Sequence, residues 1–144
     1  MPANPPANMP RITPYLYYCD VAAALAWLER TFGLVERLRM PGPDGKIAHA
    51  EMELRDGVVM LGCPSPQYRN PKQLGQATQS LYLYVDDVDK HFEHAKRAGA
   101  RIVTAPADQF YGDRHYAAED PEGHVWYFAT HIRDVAPEEM KQPG

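Results

Sequence analysis

The 144-residue chain carries 15 Lys and Arg against 19 Asp and Glu, a net charge of −4. Without a basic surplus to neutralise phosphates, nucleic-acid binding is not its main role. The hydrophobic (44%) and charged (24%) fractions are ordinary globular values, which excludes wholesale disorder; no apolar run approaches the ~20 residues that span a bilayer.

In chain order, MPANPPANMP (1–10) holds four prolines and lacks the basic start and apolar run of a signal peptide. It predicts a flexible extended tail and a cytoplasmic protein. YLYYCDVAAALAWLER (15–30) opens as a strand and reaches Asp20, which is suited to N-cap a helix. That helix presents Leu25, Leu28 and Phe32 on one face and stops near Gly33. Three strands follow, Leu34–Met40, Ile47–Arg55 and Val58–Gly62, with turns at PGPDG (41–45) and Asp56-Gly57. In the third strand of the chain Ala48, Ala50, Met52 and Leu54 alternate with His49, Glu51 and Glu53, so one face is core and the other polar.

Residues 63–79 form a long connector, either a lid in which Tyr68, Arg69 and Gln73 close over a ligand or a plain linker. Cys19 and Cys63 have no metal-type spacing and are expected as reduced core thiols.

YLYVDDVDKHFEHAKR (82–97) then repeats residues 15–30 at an offset of 67, matching Tyr, Leu, Tyr, Asp, Val and Arg. Leu81, Leu83 and Val85 alternate with Ser80, Tyr82 and Tyr84; Asp87 caps a helix with Val88, Phe92 and Ala95 on its apolar face, ending near Gly99. Strands at Arg101–Thr104, about Arg114–Ala118 and Val125–Thr130 complete the second half, and Asp120-Pro121-Glu122-Gly123 has the chemistry of a type I turn. Both halves read β-α-β-β-β. The expected organisation is a single α+β domain over 11–134: module one about 11–62, linker 63–79, module two about 80–134. Residues 135–144 form a second flexible tail.

Two such modules, with HAEMELRDGVVML (49–61) and GDRHYAAEDPEGHVWYFATH (112–131), resemble the vicinal oxygen chelate superfamily, and within it the PhnB-like glyoxalase/bleomycin resistance branch. The resemblance implies a curved mixed sheet around a cleft, with the helices on its convex side. It also implies a homodimer in which a partner completes each cleft. In the superfamily's enzymes four residues hold a divalent metal. Their positions fall here on Thr13, Met60 or Leu61, Ser80 and Tyr127, with Gln79 the nearest alternative donor. That set lacks the charge and basicity for Zn, Ni, Mn or Fe(II). No metal and no cofactor is therefore expected.

If Thr13 and Ser80 face the cleft, so do Tyr15, Tyr17, Tyr82 and Tyr84, a surface suited to a flat or partly aromatic ligand. Tyr111, Arg114 and Tyr127 are expected beside them, with Arg114 either receiving an anionic ligand group or pairing with a local carboxylate, and Trp126, of opposite parity to Tyr127, packs under a helix. His49 and Glu51 either line the cleft or lie on a solvated strand face. His91 and His94 are expected on the solvated surface, and His124 and His131 outside any catalytic role. The function expected is metal-free small-molecule binding in a tyrosine-lined cleft. The alternative is a lyase or isomerase working through His49 and Glu51. The expected partners are a small molecule and a second copy of the chain, with no nucleic acid and no membrane.

Overall fold

The computed structural model describes residues 1–142. Its elements run β1 (Tyr15–Tyr17), α1 (Val21–Phe32), β2 (Val35–Pro41), β3 (Ile47–Leu54), β4 (Gly57–Gly62), α2 (Pro71–Leu74), β5 (Ser80–Tyr84), α3 (Val88–Arg97), β6 (Arg101–Asp108), β7 (Asp113–Glu119) and β8 (Val125–His131). Asp20 accepts from the Ala23 amide and Asp87 from the Lys90 amide, so each satisfies a donor that the first helical turn leaves open. Each module closes its own four-stranded mixed sheet, β1-β4-β3-β2 and β5-β8-β7-β6. The parallel pairs are in the same register: Tyr15 faces Met60 as Tyr82 faces Tyr127, both offset by 67. The expected α+β architecture of two β-α-β-β-β modules is present; the backbone ladder does not run from one sheet to the other.

One core serves both modules. Phe32 at the end of α1 meets Trp126 and Phe128 of β8, and α1 packs on α3. Leu16, Ala50, Met52 and Leu61 line the first sheet's core face, and Tyr116, Ala118, Trp126 and Phe128 the second's. Trp126 is buried, as its parity predicts.

Several expectations are corrected. His91 is not solvated: its Nε2–H donates to the Phe32 carbonyl at 2.9 Å, and Nδ1 accepts from Tyr116 at 2.6 Å. Burial lowers its pKa from the ordinary 6.5, so the ring joins the two helices as a neutral group. Charges at Lys90 and Lys96 suggested a wet face, but three-residue spacing turns His91 inward toward Phe128. His94 stays exposed and donates to the Arg30 carbonyl. Cys19 and Cys63 are both exposed, because each lies just past a strand end rather than within one. Strand β6 continues past Thr104 through Pro106. It tolerates that proline because it is an edge strand with a register shift between Thr104 and Ala107.

The connector is not structureless. Asn70 and Gln73 form a capping box around α2. Residues 1–10 hold no helix or strand, although the Asn8 carbonyl accepts from Arg37. The C-terminal segment 135–144 holds one 3₁₀ turn, Pro137–Glu139, and its last two residues lie outside the described range.

The DPEGH turn between β7 and β8 ties the modules together. Buried Asp120 accepts from the Tyr18 hydroxyl (2.6 Å), Trp126 Nε1 (3.1 Å) and the amides of Glu122 and His124. Glu122 accepts from the Cys19 amide (2.7 Å), the Asp20 amide (3.0 Å) and Asn70 Nδ2 (2.9 Å). His124 donates to the Tyr17 carbonyl, and the Lys72 amide donates to the Glu122 carbonyl. Gly123, with φ +95°, lies so close to the Lys72 amide that a Cβ there would approach it to 2.6 Å.

Replacing Asp120 by Ala strands two buried side-chain donors, Tyr18 and Trp126. At about 1–3 kcal/mol for each orphan, Asp120→Ala should lower the unfolding free energy by about 3 kcal/mol or more. The midpoint should fall by roughly 10 °C. Urea unfolding checks this; a loss below about 1 kcal/mol would show the turn to be a passive hairpin.

Candidate functional site

Strand alternation turns two sets of aromatic and titratable side chains away from the core. On the first sheet these are Tyr15, Tyr17, His49 and Glu51. The Tyr15 hydroxyl lies 2.8 Å from His49 Nδ1, and His49 Nε2 lies 2.9 Å from Glu51 Oε2. With the ring proton on Nε2, His49 donates to the carboxylate and accepts from Tyr15. Arg37 Nε approaches the other Glu51 oxygen at 3.5 Å. Glu51 is nearly buried, so this strand face is not simply solvated. The Tyr15 ring lies over Gly62, where a Cβ would come within 2.6 Å of its hydroxyl. Tyr68, from the connector, donates to the Tyr17 carbonyl and packs edge-on against the Tyr17 ring. Arg69 and Gln73 are occupied in capping α2.

On the second sheet Asp113 is the centre. Its carboxylate, 3% exposed, accepts from Tyr82 and Tyr84 at Oδ2, both at 2.8 Å, and faces His131 Nδ1 from Oδ1 at 2.8 Å. His131 Nε2 in turn lies 2.7 Å from Asp134. Tyr127 stacks parallel to Tyr82, and His115 sets its ring edge-on to both. Tyr111 lies beside His115. A groove of about 580 Å³ between the modules, lined by Ile12, Leu34, Val58, Leu81 and Leu83, reaches Tyr82 and Tyr84.

The structure thus brings Tyr15, Tyr17, His49 and Glu51 into one group and Tyr82, Tyr84, Tyr111 and Tyr127 into another. Arg114 joins neither. It lies on the helix side of β7, paired with Asp89 of α3 (3.1 Å) and Asp108 (3.0 Å), since its parity is that of core-facing Tyr116.

The carried-over metal position does not fit a divalent ion. Met60, opposite Tyr15 and Glu51, is the outward residue, while Leu61 is in the core. Thr13, Met60, Ser80 and Tyr127 offer two hydroxyls, a phenol and a thioether. Among the described residues no three His, Cys, Asp or Glu side chains are grouped to share a metal.

The sequence model of the Glyoxalase/Bleomycin resistance protein/Dioxygenase superfamily matches residues 9–128. The chain belongs to that superfamily. An uncharacterized protein of Mycobacterium bovis is 38% identical over 137 residues, 92% of this chain and 90% of the relative. An uncharacterized protein of Mycobacterium tuberculosis strain H37Rv has the same identity over 81% of its length. Among solved structures, TioX from Micromonospora sp. ML1 is 35% identical with a TM-score of 0.71, over 85% of this chain and 99% of that one. The bleomycin resistance determinant encoded on transposon Tn5, at 22% identity and TM-score 0.65 over 85% and 98%, shares the fold.

Asp113, His115 and His131 are the site residues that sequence reasoning missed as a group. The signal was present but displaced. Glu51 pairs with Met60 and Ala117 with Tyr127, so the third strands of the two modules are related by 66, not 67. His49 and His115 therefore occupy equivalent positions, each beside the first tyrosine of its module. Starting β7 at Asp113 rather than Arg114 puts Asp113, His115 and Tyr127 on one face.

Burial works to raise the Asp113 carboxyl. The hydrogen bonds from His131, Tyr82 and Tyr84 outweigh it and hold the group below its ordinary 3.8. Asp134 first, then Asp113, raises His131 above 6.5. Burial, then Tyr111 and Asp113, pushes Tyr82 far above the ordinary 10, and the bond to Asp113 is the main cause of the rise at Tyr84. Tyr15 is raised by burial, then by Tyr17 and Glu51.

The folded pKa of Asp113 is depressed, so the stability it contributes is complete above the unfolded value and is lost as pH falls through the folded one. At the alkaline end the same carboxylate keeps Tyr82 and Tyr84 protonated. In Asp113→Asn one to two more tyrosines should ionise by pH 11 than in the wild type, read as absorbance at 295 nm in the folded protein. Identical titration curves would show that Asp113 does not hold these protons.

Proposed function

We propose that the protein binds a partly planar small molecule against its tyrosine faces and releases it unchanged. One observation carries the reading. Tyr15, Tyr17, Tyr82 and Tyr84 are 41%, 46%, 41% and 58% exposed on strand faces whose other sides are core. Aromatic rings left in water in symmetric positions favour a stacking ligand, at ~0.5–1.5 kcal/mol per aromatic contact beyond buried area. The metal position does not fit a Lewis acid. The proposed ligand-binding set is Tyr15, Tyr17, His49, Glu51, Tyr82, Tyr84, Tyr111 and Tyr127; paired Arg114 bounds it from the helix side. Affiliation with the PhnB-like branch, on the GDR and DPEGH-x-W motifs, and a cytoplasmic location belong to the same proposal. No helix among the described residues is long and apolar enough to cross a membrane.

The bleomycin resistance determinant is, by its name, a resistance protein, and the reading places this chain with proteins that hold a compound rather than transform it. A second reading, a lyase or isomerase, is favoured by one observation: the Tyr15–His49–Glu51 chain has the geometry of an oriented general base.

Calorimetry separates the two, after a thermal-shift screen of planar compounds. Tyr82→Ala should weaken binding tenfold or more, and His49→Ala should weaken it as well, since it also frees the Tyr15 hydroxyl. The bound compound should be recovered chemically unchanged. Turnover that stops in His49→Ala without loss of affinity would replace binding by catalysis.

The proposal includes a homodimer. The aromatic contacts fall into two separate groups, Tyr15 and Tyr17 with His49 and Tyr68, and Tyr82 with Tyr84, His115 and Tyr127. Strands β1 and β5, which carry the tyrosines, are sheet edges with one backbone side unpaired. A second copy related by a twofold axis would bring one group against the other. Light scattering at micromolar concentration should give twice the 16.3 kDa of the chain; a monomer mass would refute the assembly.

A further inference from the structure

We infer that the second-module face selects ligands carrying a nitrogen with two N–H donors, such as an aromatic amine, a primary ammonium or a carboxamide on a planar ring. The inference rests on the binding role proposed above and names the chemistry of that ligand. Both Tyr82 and Tyr84 donate their hydroxyl protons to a single oxygen, Asp113 Oδ2, at 2.8 Å. A phenol has one proton to give, so what each hydroxyl leaves for a ligand is lone pairs. The carboxylate itself is 3% exposed and screened by the tyrosines, so a ligand meets its charge through their oxygens. Oxygens whose protons are committed to an anion are stronger acceptors than free phenols.

Two of the other polar groups nearby, His131 and Arg114, offer that face no free donor. Both His131 nitrogens are engaged by Asp113 and Asp134. Arg114 is on the other side of β7, held by two carboxylates. A carbonyl or carboxylate placed against the pair would meet two acceptors above a buried anion, an unpaired and repulsive contact. Because each hydroxyl oxygen is 2.8 Å from Oδ2, the two are separated by no more than twice that distance. One NH₂ or NH₃⁺ group can donate to both. The Tyr82 ring, with Tyr127 stacked 6.0 Å from it, supplies the adjoining aromatic surface.

The test uses the full-length protein and three quinolines of one ring system: 6-aminoquinoline, 6-(dimethylamino)quinoline and 6-methoxyquinoline. Calorimetry should show 6-aminoquinoline binding at least tenfold more tightly than either analogue. The preference should shrink below threefold in Tyr82→Phe/Tyr84→Phe/Asp113→Leu, which keeps both rings and removes the hydroxyl acceptors together with the carboxylate they cover. If the analogues bind wild type as well as the amine does, or the preference survives in the triple variant, donor selection is wrong while ring binding stands. If no quinoline binds wild type, the planar-ligand reading itself fails, and this inference with it.

Discussion

The fold depends on two carboxylates in one turn. Asp120 and Glu122 belong by sequence to the second module, yet four of their seven side-chain hydrogen bonds reach outside it. Asp120 reaches Tyr18, the residue after β1; Glu122 reaches the amides of Cys19 and Asp20, where α1 begins, and the connector at Asn70. A carboxylate at a helix start favours the open amides there. The Tyr18 and Trp126 donors are buried, so losing Asp120 leaves them unpaired rather than hydrated. The turn thereby fixes where β1 ends and α1 starts, and with them the direction of Tyr15 and Tyr17. The connector is held by the same grip, since the Lys72 amide bonds to Glu122 and Gly123 leaves it room.

That role explains why the second hairpin is longer than the first. Glu53 pairs with Val58 around four intervening residues, and Glu119 with Val125 around five. The extra residue belongs to the turn that makes the clasp. Its cost is a slip in the repeat, which places His115 opposite its tyrosine where His49 stands in module one, but puts Ala117 where Glu51 stands. The second face has its carboxylate on the other side of the histidine, at Asp113. Two modules alike in topology therefore present different chemistry. One is a tyrosine joined to a glutamate through an imidazole; the other is two tyrosines converging directly on an aspartate.

Much of this was legible in the residues. The strand and helix pattern, the caps at Asp20 and Asp87, the core parity of Trp126 and the outward tyrosines all follow from short-range rules of period and capping, which act within a few residues. What escaped was long-range. The DPEG motif reads as a local type I turn, and nothing in its spacing reveals that its carboxylates span more than a hundred positions to Tyr18, Cys19 and Asp20. His91 sits among charged neighbours, and only the approach of α1 turns it into a buried link to Phe32. Asp113 was lost to a boundary error of one residue, enough to remove the centre of the second face. The exposed cysteines were misjudged because burial at a strand end is set by the connector's path, not by residue type.

The nine tyrosines also acquire a common reason. Six use their hydroxyl on an internal acceptor: Tyr15 on His49, Tyr18 on Asp120, Tyr68 on the Tyr17 carbonyl, Tyr82 and Tyr84 on Asp113, and Tyr116 on His91. Phenylalanine would fill the same space in each case, so ring size alone does not account for the choice. In the core the bond pins a side chain between modules: Tyr18 closes the clasp, and Tyr116 fixes the proton of His91 on the nitrogen facing Phe32. On the outward faces the same bond does something different. It removes the ring's rotational freedom and removes the proton from the hydroxyl's outward side, leaving an oriented aromatic plane edged by acceptors. The outward oxygens of Tyr82 and Tyr84 are thus set as acceptors by the buried carboxylate beneath them rather than by the tyrosines themselves.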